Sequence, residues 1–551
     1  MPGSCRVVFL GGLGEVGRNM AVLELDGRLL LLDAGLSFPG EEMPGVDLVL
    51  PDYQYVRDRK GRIDGVILTH GHEDHVGALP YLLREMKLDV YATALTLGLL
   101  GPKLEEHGVT DRVTLHQVEP GGKARIGRFR VRFLHVTHSI PDGVAVAIDT
   151  PFGTLLHTGD FRLDPTPIDG RITDLGGLAE EARRGVHVLL SDSTNAEREG
   201  TVASERTVGP ELQAIIRDAP RLVVAACFAS HIHRIQQICD AARAAGRKVA
   251  FLGRSMHQAR EQASALGRLD VPEQDVVDIE IVKDLPPEHV VVVCTGSQGE
   301  PLSALALMAA HENKWVRLEP GDTVILSSSV IPGNEVAIHR VIDGLFRTGA
   351  DVFHQGNAHV HVSGHAAQEE LKLILNLVRP RWFVPIHGER RHLAHHAKLA
   401  RSVGIPADQI LVCEDGDVLE IGEEVAVSDH ISAGMTLVDG LGIGDVGQAV
   451  LRDRRKLAGD GVVVVVVTAG AHSGEVLAGP DIITRGFVHD ETSEDILEEA
   501  RQRVVMSLKE VAHEEVGDPG ILKQHIRRTL GKYFFEVIQR KPIIVPVIME
   551  V

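Results

Sequence analysis

Short apolar runs separated by turn residues predict most of the secondary structure of this chain. In roughly the first 200 residues the runs have the length of buried strands, and two of them flank Asp26 and Gly27, which is typical of a β-hairpin. The predicted strands include residues 6–10, 129–136, 144–150, 154–158 and 186–190. The pattern predicts a mostly antiparallel, two-layer β-rich region.

From about residue 206 the pattern changes to apolar strands that alternate with helical stretches. This alternation indicates a parallel sheet flanked by helices, and therefore a separate α/β domain. The predicted strands are residues 221–227, 248–252, 290–294 and 323–327. After residue 366 the character of the first region returns with a helix, a strand over 382–386 and another helix, so we expect the α/β domain to be inserted into the first.

The carboxyl-terminal part has its own pattern. Residues 446–460 carry Gly, Asp and Arg without periodicity and are predicted to be a linker. Beyond them the pattern predicts a small α+β domain. Its predicted strands are residues 462–468, 482–487 and 543–551, and its predicted helices are residues 493–513 and a second helix that ends at about residue 539. We therefore predict a first domain in two parts, residues 1–205 and 366–445, with an inserted domain over residues 206–365. A linker over residues 446–460 then leads to a final domain over residues 461–551.

Composition places the chain among ordinary globular proteins. Its 551 residues are too many for one core, and 44% hydrophobic with 24% charged residues argue against extensive disorder. No apolar run approaches the ~18 residues of a membrane span, and the amino terminus lacks the pattern of a signal peptide. The five cysteines form no CxxC pair, as expected in a reducing compartment. We expect a cytoplasmic protein without membrane association.

The net charge of −20 argues against a protein that coats nucleic acid nonspecifically, because such binding depends on clustered Lys and Arg. A nuclease is still compatible with this charge, since bound cations and a local basic groove can neutralise phosphates.

The candidate chemistry is concentrated in residues 69–77, THGHEDHVG, which supply His70, His72, Asp74 and His75. Imidazole together with carboxylate suits zinc or manganese. In an extended stretch His70 and His72 point the same way, while Asp74 and His75 lie at the turn beyond and can reach a neighbouring ion. A His-rich surface loop is the alternative. The apolar strand over 64–69 favours a metal site, because it delivers His70 at its carboxyl end.

Three further segments place a possible ligand just after a predicted strand. They contain His138, Asp160 and His387. A single His or Asp at such a place is usually a hydrogen-bonded structural residue. Together with the 69–77 segment, however, they give seven ligands of suitable types.

This order of ligands resembles that of the metallo-β-lactamase fold, and the inserted domain with Asp192 and His365 resembles its β-CASP branch of nucleic-acid-processing enzymes. Within that branch the chain is most similar to the bacterial ribonuclease J family, over essentially its whole length. Other segments that are similar to this family are 12–17 (GLGEVG), 137–142 (THSIPD), 228–231 (FASH), 295–300 (TGSQGE), 331–335 (IPGNE) and 484–487 (TRGF). The implied fold class is α/β: an αββα metallo-β-lactamase sandwich with an inserted α/β β-CASP domain and a small α+β carboxyl-terminal domain.

The resemblance also implies a ligand set for two Zn2+ ions, with Mn2+ as the alternative metal. One ion would be held by His70, His72 and His138, the other by Asp74, His75 and His387, with Asp160 bridging. The family resemblance further implies a structural divalent cation at Asp47 and Asp439. Two Asp residues in turns would look the same without a metal.

Such a metal pair would activate water for hydrolysis of a phosphodiester. By resemblance, Asp192 and His365 would manage the protons, and which of them donates is open. His361, Val362, Ser363, Gly364 and His365 would form a pocket for a terminal monophosphate, to which Ser230, His231 and Arg234 at a predicted helix start could add donors. A polar turn whose histidines bond one another is the alternative.

The expected function is that of a metal-dependent ribonuclease in RNA maturation and decay. Its expected substrate is single-stranded RNA with a 5′-monophosphate, degraded 5′-to-3′ with additional endonuclease activity. We expect a homodimer and a place in an RNA-decay assembly. The alternatives are a DNA-processing β-CASP nuclease, a small-molecule metallo-hydrolase and a noncatalytic scaffold.

Overall fold

The structure is a computed structural model that describes residues 4–40, 42–300, 302–440, 442–470, 476–487, 494–512 and 519–551. It divides into two compact units. The larger unit comprises residues 1–38 and 49–436, and the smaller comprises residues 39–48 and 437–551.

Two mixed β-sheets face each other in the larger unit. The eight strands of the first sheet are, in order, Val425–His430, Asp417–Ile421, Cys5–Gly11, Met20–Leu25, Arg28–Leu32, Ile63–Ile67, Leu88–Ala92 and Val113–Gln117. The six strands of the second sheet are Trp382–Ile386, Val186–Asp192, Gly153–His157, Val144–Thr150, Phe129–His135 and Lys123–Ile126. Apolar side chains from both sheets, such as Leu23, Leu30, Val146 and Val188, form one core between them.

Antiparallel pairings predominate in the two sheets, as predicted, but part of each sheet is parallel. The first sheet is antiparallel up to Arg28–Leu32 and parallel beyond it. In the second sheet Val186–Asp192 pairs in parallel with both of its neighbours. Parallel neighbours need long crossover connections, and helices supply them here. Strand Trp382–Ile386 follows the inserted domain along the chain. It pairs with Val186–Asp192 in the second sheet and places Ile386 beside Asp192.

Helices cover the outer faces of this sandwich. Leu178, Leu371 and Leu399 of three helices pack with Leu156 and Phe383 of the second sheet. The α-helices of this part are Gln54–Arg57, Glu73–Val76, Leu79–Glu85, Ala94–Glu106, Leu175–Arg184, Gln368–Val378 and Arg390–Ser402. Short 3-10 helices are Lys60–Arg62, Thr110–Arg112, Glu205–Thr207 and Ala407–Gln409, and short strands are Leu13–Gly14 and Gly388–Glu389.

The inserted domain is a parallel sheet between helices, as predicted. Its strands lie in the order Lys248–Leu252, Val290–Cys294, Val223–Ala226, Thr323–Leu326 and Asp351–Phe353. Its helices are Val208–Asp218, Ile232–Ala244, Arg254–Ala265, Ala304–Ala309 and Glu335–Arg347, with 3-10 turns at Glu273–Asp275, Ile279–Asp284 and Pro287–His289. Separate apolar clusters pack on the two faces of the sheet, which explains its continuous runs of Val.

The smaller unit contains a three-stranded sheet in the order Val476–Arg485, Val462–Ala469 and Ile543–Glu550. Its helices are Gln448–Asp460, Glu494–Ala512 and Pro519–Ile538. The prediction of an irregular linker over 446–460 is therefore wrong, since most of this segment is helical. Its charged residues and glycines hide the helical period, and only Leu451 in this helix is buried. The predicted helix ends at 493 and 513 lie outside the described residues.

Candidate metal centre

The seven predicted metal ligands all follow the carboxyl ends of strands or lie in the segment just beyond, with Asp74 and His75 in the short helix Glu73–Val76. His70 follows Ile63–Ile67, His138 follows Phe129–His135, Asp160 follows Gly153–His157, and His387 follows Trp382–Ile386. Backbone hydrogen bonds tie these ends together, with the amide of Val144 donating to the Thr69 carbonyl over 3.0 Å. The sandwich therefore brings distant parts of the chain to one edge.

Three imidazoles and one carboxylate form the first group of possible ligands. His72 Nδ1 lies 3.1 Å from His70 Nε2 and 3.2 Å from His138 Nε2. Asp160 Oδ2 is 3.7 Å from His70 Nε2 and 3.9 Å from His138 Nε2. All four ligand atoms lie within 4.8 Å of one another.

The second group shares the same Asp160 oxygen. Asp160 Oδ2 is 3.2 Å from His75 Nε2 and 3.1 Å from His387 Nε2. Both of these nitrogens lie 3.6 Å from Asp74 Oδ2. One carboxylate oxygen thus faces two sets of donors, which is the arrangement of a bridging ligand.

The charges of these groups fit divalent cations. Burial, reinforced by neighbouring imidazoles, holds the pKa of His70 and His138 well below the ordinary value, so both rings are neutral and offer a lone pair. Burial opposes the charge on His75 and His387, but the surrounding carboxylates, with Asp160 the strongest of them, together outweigh it and raise the pKa of both rings. The neutral imidazoles of His70 and His138 and the buried carboxylates are donors that zinc and manganese take, and a cation at His75 and His387 would replace the protons of those rings.

The imidazoles are oriented by acceptors on their far side. His75 Nδ1 donates to Asp33 Oδ2 over 2.8 Å, and His138 Nδ1 donates to the Gly364 carbonyl over 2.7 Å. Each bond directs the other ring nitrogen toward the centre, where His75 Nε2 also lies 3.1 Å from the side-chain amide of Asn19. A Cβ on Gly364 would lie 2.7 Å from the His138 ring, so this approach requires glycine.

Asp33 was missed in the sequence, although its place directly after the apolar strand Arg28–Leu32 was a usable signal. It is buried and accepts hydrogen bonds from the amide and the hydroxyl of Thr69, at 2.7 and 2.9 Å. The same carboxylate therefore holds both the start of the 69–77 segment and the ring of His75.

Asp192 and His365 form a pair beside the metal-capable groups. His365 Nδ1 lies 2.8 Å from Asp192 Oδ2 and 3.9 Å from Asp160 Oδ2. Burial opposes the charge on His365, but the nearby carboxylates, with Asp192 the strongest of them, together outweigh it and raise this pKa to about 9. The pair therefore holds a proton close to the candidate metal centre.

Asn195 completes the surroundings of this pair and was also missed. Its amide donates to Ser363 Oγ over 2.8 Å and to the His365 carbonyl over 2.7 Å. Asn195 follows strand Val186–Asp192 by three residues, but its partners lie about 170 residues further along the chain, so the sequence does not indicate its contacts.

The predicted phosphate pocket comes together only in part. The rings of His231 and His361 lie 6.1 Å apart, and both are buried. Val362 is a buried apolar side chain, and Ser230 is partly exposed. Arg234 is fully buried and differs from the prediction, because its guanidinium is held by protein groups: Nε donates to Glu205 over 2.9 Å and Nη1 to the Val360 carbonyl over 2.6 Å.

Asp47 and Asp439, where a structural cation was expected, have protein partners. Asp47 Oδ2 accepts from the Gly440 amide over 2.7 Å, and Asp439 Oδ2 pairs with Arg454 Nη2 at 2.5 Å. Among the residues that the structure describes, neither Asp belongs to a cluster of three or more possible metal ligands. This additional cation stays a prediction.

Two facing sheets with metal-capable residues at one edge define a metallo-β-lactamase-fold hydrolase, and comparison with known families agrees. Residues 13–198 match the metallo-beta-lactamase superfamily, and residues 355–408 match the Zn-dependent metallo-hydrolase RNA specificity domain. Residues 220–345 match the beta-CASP domain of ribonuclease J, and residues 449–551 match its C-terminal domain.

Full-length relatives extend this result. The chain is 44% identical over 551 residues to ribonuclease J of Mycobacterium tuberculosis, covering 100% of this chain and 98% of the relative. It is 43% identical over 552 residues to ribonuclease J of Thermus thermophilus, covering 99% of this chain and 95% of the relative. The chain belongs to the ribonuclease J family and is a metal-dependent ribonuclease.

A solved structure shares the fold. It is a protein of unknown function from Enterococcus faecalis, with a TM-score of 0.53 and 16% identity, and the match covers 76% of this chain and 100% of that one. Separately, none of the helices within the described ranges has both the length and the apolar character needed to span a membrane.

Proposed function

We propose that this ribonuclease degrades single-stranded RNA from the 5′ end, prefers a 5′-monophosphate and also cuts internally. The observation that carries the proposal is the single Asp160 oxygen shared by two groups of ligands, with the Asp192 and His365 pair beside it. We assign His70, His72 and His138 to one cation and Asp74, His75 and His387 to the other, both of them zinc or manganese. When bound, such cations activate water and neutralise the charge on phosphate.

The chain's own residues supply the proton chemistry. Thr194 donates to Asp192 Oδ1 from its amide and its hydroxyl, at 2.9 and 2.8 Å, so the carboxylate is fixed. Asp192 in turn orients the ring of His365 and keeps a proton on it. We therefore assign proton transfer at the scissile phosphate to this pair.

A pocket formed by His361, Ser363, Ser230 and His231 would select the terminal phosphate. Helix Ile232–Ala244 begins directly after His231, and backbone amides at a helix start favour an anion. Nδ1 of buried His231 has no hydrogen-bond partner among the described residues, so this ring has unused capacity. We assign Arg234 a supporting role in this pocket rather than phosphate binding, because Glu205 already neutralises its charge.

The test compares RNAs of one sequence that carry a 5′-monophosphate or a 5′-triphosphate, with the matching DNA and a β-lactam as controls. We expect mononucleotides to be released from the monophosphorylated RNA and slower internal cutting of the triphosphorylated RNA. Equal rates on both RNAs would contradict the selection of the 5′ end. Consumption of the DNA at the same rate would favour a DNA-processing nuclease instead.

We further propose a homodimer that is stabilised by the carboxyl-terminal domain and takes part in RNA decay together with other proteins. The exposed side chains of Met549 and Val547 on the last strand of the smaller unit support this, because apolar side chains there face solvent in a single chain.

A further inference from the structure

Glu205 is a buried carboxylate that neutralises two arginines from different parts of the chain. It lies in the short helix Glu205–Thr207 and is 1% exposed. Its Oε1 accepts from Arg234 Nε at 2.9 Å and Nη2 at 2.6 Å, and its Oε2 lies 3.4 Å from Arg162 Nη2. Asp164 completes the balance, since its Oδ2 lies 3.0 Å from Arg162 Nη2 and accepts from the Glu205 amide over 2.9 Å.

Both guanidinium groups also donate hydrogen bonds to the loop of residues 360–365. Arg234 Nη1 donates to the Val360 carbonyl over 2.6 Å, and Arg162 Nη1 donates to the Ser363 carbonyl over 3.0 Å. Ser327 Oγ also donates to the Val360 carbonyl over 2.6 Å. The two anchored carbonyls lie three residues apart, so they fix the backbone on both sides of Val362.

This loop carries groups that touch the candidate metal centre. The Gly364 carbonyl, one residue beyond the Ser363 anchor, accepts from His138 Nδ1 over 2.7 Å. His365, the next residue, holds Asp192. A shift of the Ser363 carbonyl would therefore displace both the acceptor that orients His138 and the ring that pairs with Asp192.

We propose that Glu205 is a positioning residue for RNA hydrolysis, which fixes loop 360–365 through Arg162 and Arg234 and thereby orients His138 and His365. This inference rests on the roles proposed above for His138 and His365. Glu205 contacts none of the assigned metal ligands. Its Oε1 also lies 3.4 Å from Nε2 of His231, but its connection to loop 360–365 runs through the two buried arginines. A carboxylate is needed here because the two buried guanidinium charges that face it would otherwise be only partly neutralised.

The test is Glu205→Gln, with Glu181→Gln as the matched control. Glu181 is 2% exposed and holds Arg132 through two hydrogen bonds of 2.6 and 2.7 Å, but it lies outside the site. Per folded molecule, we expect Glu205→Gln to lower kcat about 10- to 100-fold, as a displacement near 1 Å would. The control should keep the kcat of the wild type, and Glu205→Asp should recover part of the loss.

A spectroscopic measurement separates positioning from simple loss of stability. With Co2+ as the probe, a misoriented His138 changes the visible absorption of the bound ion, so Glu205→Gln should differ from both the wild type and Glu181→Gln. If Glu205→Gln matches the control in kcat, KM and Co2+ spectrum, the positioning role is overturned. His365→Ala tests the proposed function separately: full activity in that variant would remove the assigned pair whatever Glu205→Gln does.

If Glu205→Gln does not fold, Ser327→Ala tests the same loop more gently, because it removes one of the bonds to the Val360 carbonyl. We expect a fall in kcat of about two- to tenfold with an altered Co2+ spectrum. An unchanged kcat and spectrum would overturn the proposal.

Discussion

The imidazoles of the candidate metal centre depend on residues that contact no metal. Asp33 fixes the tautomer and direction of His75 through a bond of 2.8 Å. Such supporting acceptors contribute strongly to metal affinity, and their loss typically weakens binding about 10- to 100-fold.

We therefore expect Asp33→Asn to lower Zn2+ affinity about 10- to 100-fold, as measured by competition with a chromophoric chelator. Asn cannot accept as a carboxylate does, so the His75 ring loses its preferred orientation. Asp322→Asn is the matched control, because Asp322 is equally buried but lies in the inserted domain. Equal affinities for the two variants would show that Asp33 does not orient the ligand.

A second residue prediction concerns pH. Burial, with the nearby Glu15 carboxylate, raises the pKa of Asp415 to about 7, although the Leu13 amide and Arg18 oppose this. The unfolded pKa of an Asp carboxyl is about 3.9. Because the folded pKa is higher, the protonated carboxyl contributes its full stability below about pH 3.9, and this contribution is lost as the pH rises from there through about 7.

Asp415→Asn removes that loss, since the amide stays neutral. We expect the free energy of unfolding of the variant, minus that of the wild type, to be larger at pH 8 than at pH 5 by at least about 1 kcal/mol. Melting temperatures at the two pH values measure this, with exposed Asp429→Asn as the control. A difference from the wild type that is the same at both pH values would disprove the linkage.

The sequence points to the candidate ligands of the site more directly than to the residues that support them. Six consecutive positions contain four possible metal ligands, His70, His72, Asp74 and His75, and this density indicates a metal site. Asp33, Asn195 and Glu205 are single polar residues whose partners are remote in sequence, such as Arg162 for Glu205, 43 positions away. The contacts of Asn195 and Glu205 are evident only in the folded arrangement, whereas Asp33 directly follows an apolar strand.

At the level of elements, the strands were the best predicted features. Val144–Thr150, Lys248–Leu252, Val290–Cys294 and Trp382–Ile386 have the predicted bounds, because continuous apolar runs bounded by turns have few other interpretations. Strand direction in the first domain was not readable, since a strand carries the same apolar residues in either direction.

Helix Gln448–Asp460 illustrates the opposite case and gives a prediction at this scale. Leu451 is 2% exposed, whereas Leu457 in the same helix is 43% exposed. We expect Leu451→Ala to destabilise the smaller unit by about 2–3 kcal/mol through lost apolar contact. Leu457→Ala is the control and should cost under about 1 kcal/mol. Equal shifts in the melting temperature of the two variants would contradict the packing of this helix.

For the whole molecule, the proposed dimer is the property to test. Removing residues 447–551 takes away the sheet that bears Met549 and Val547, so we expect the mass in solution to fall to that of a monomer. Light scattering measures this mass, with the full-length chain as the reference. A truncated chain that is still a dimer would place the contact elsewhere.

The order of the site along the chain has a consequence during synthesis on the ribosome. His387 and Asp160, which lie 3.1 Å apart in the fold, are separated by 227 residues. At a translation rate of about 5–20 residues per second, this interval lasts about 10–45 s. On the assignment proposed above, the nascent polypeptide therefore remains inert toward its own messenger and the surrounding ribosomal RNA until His387 has been added.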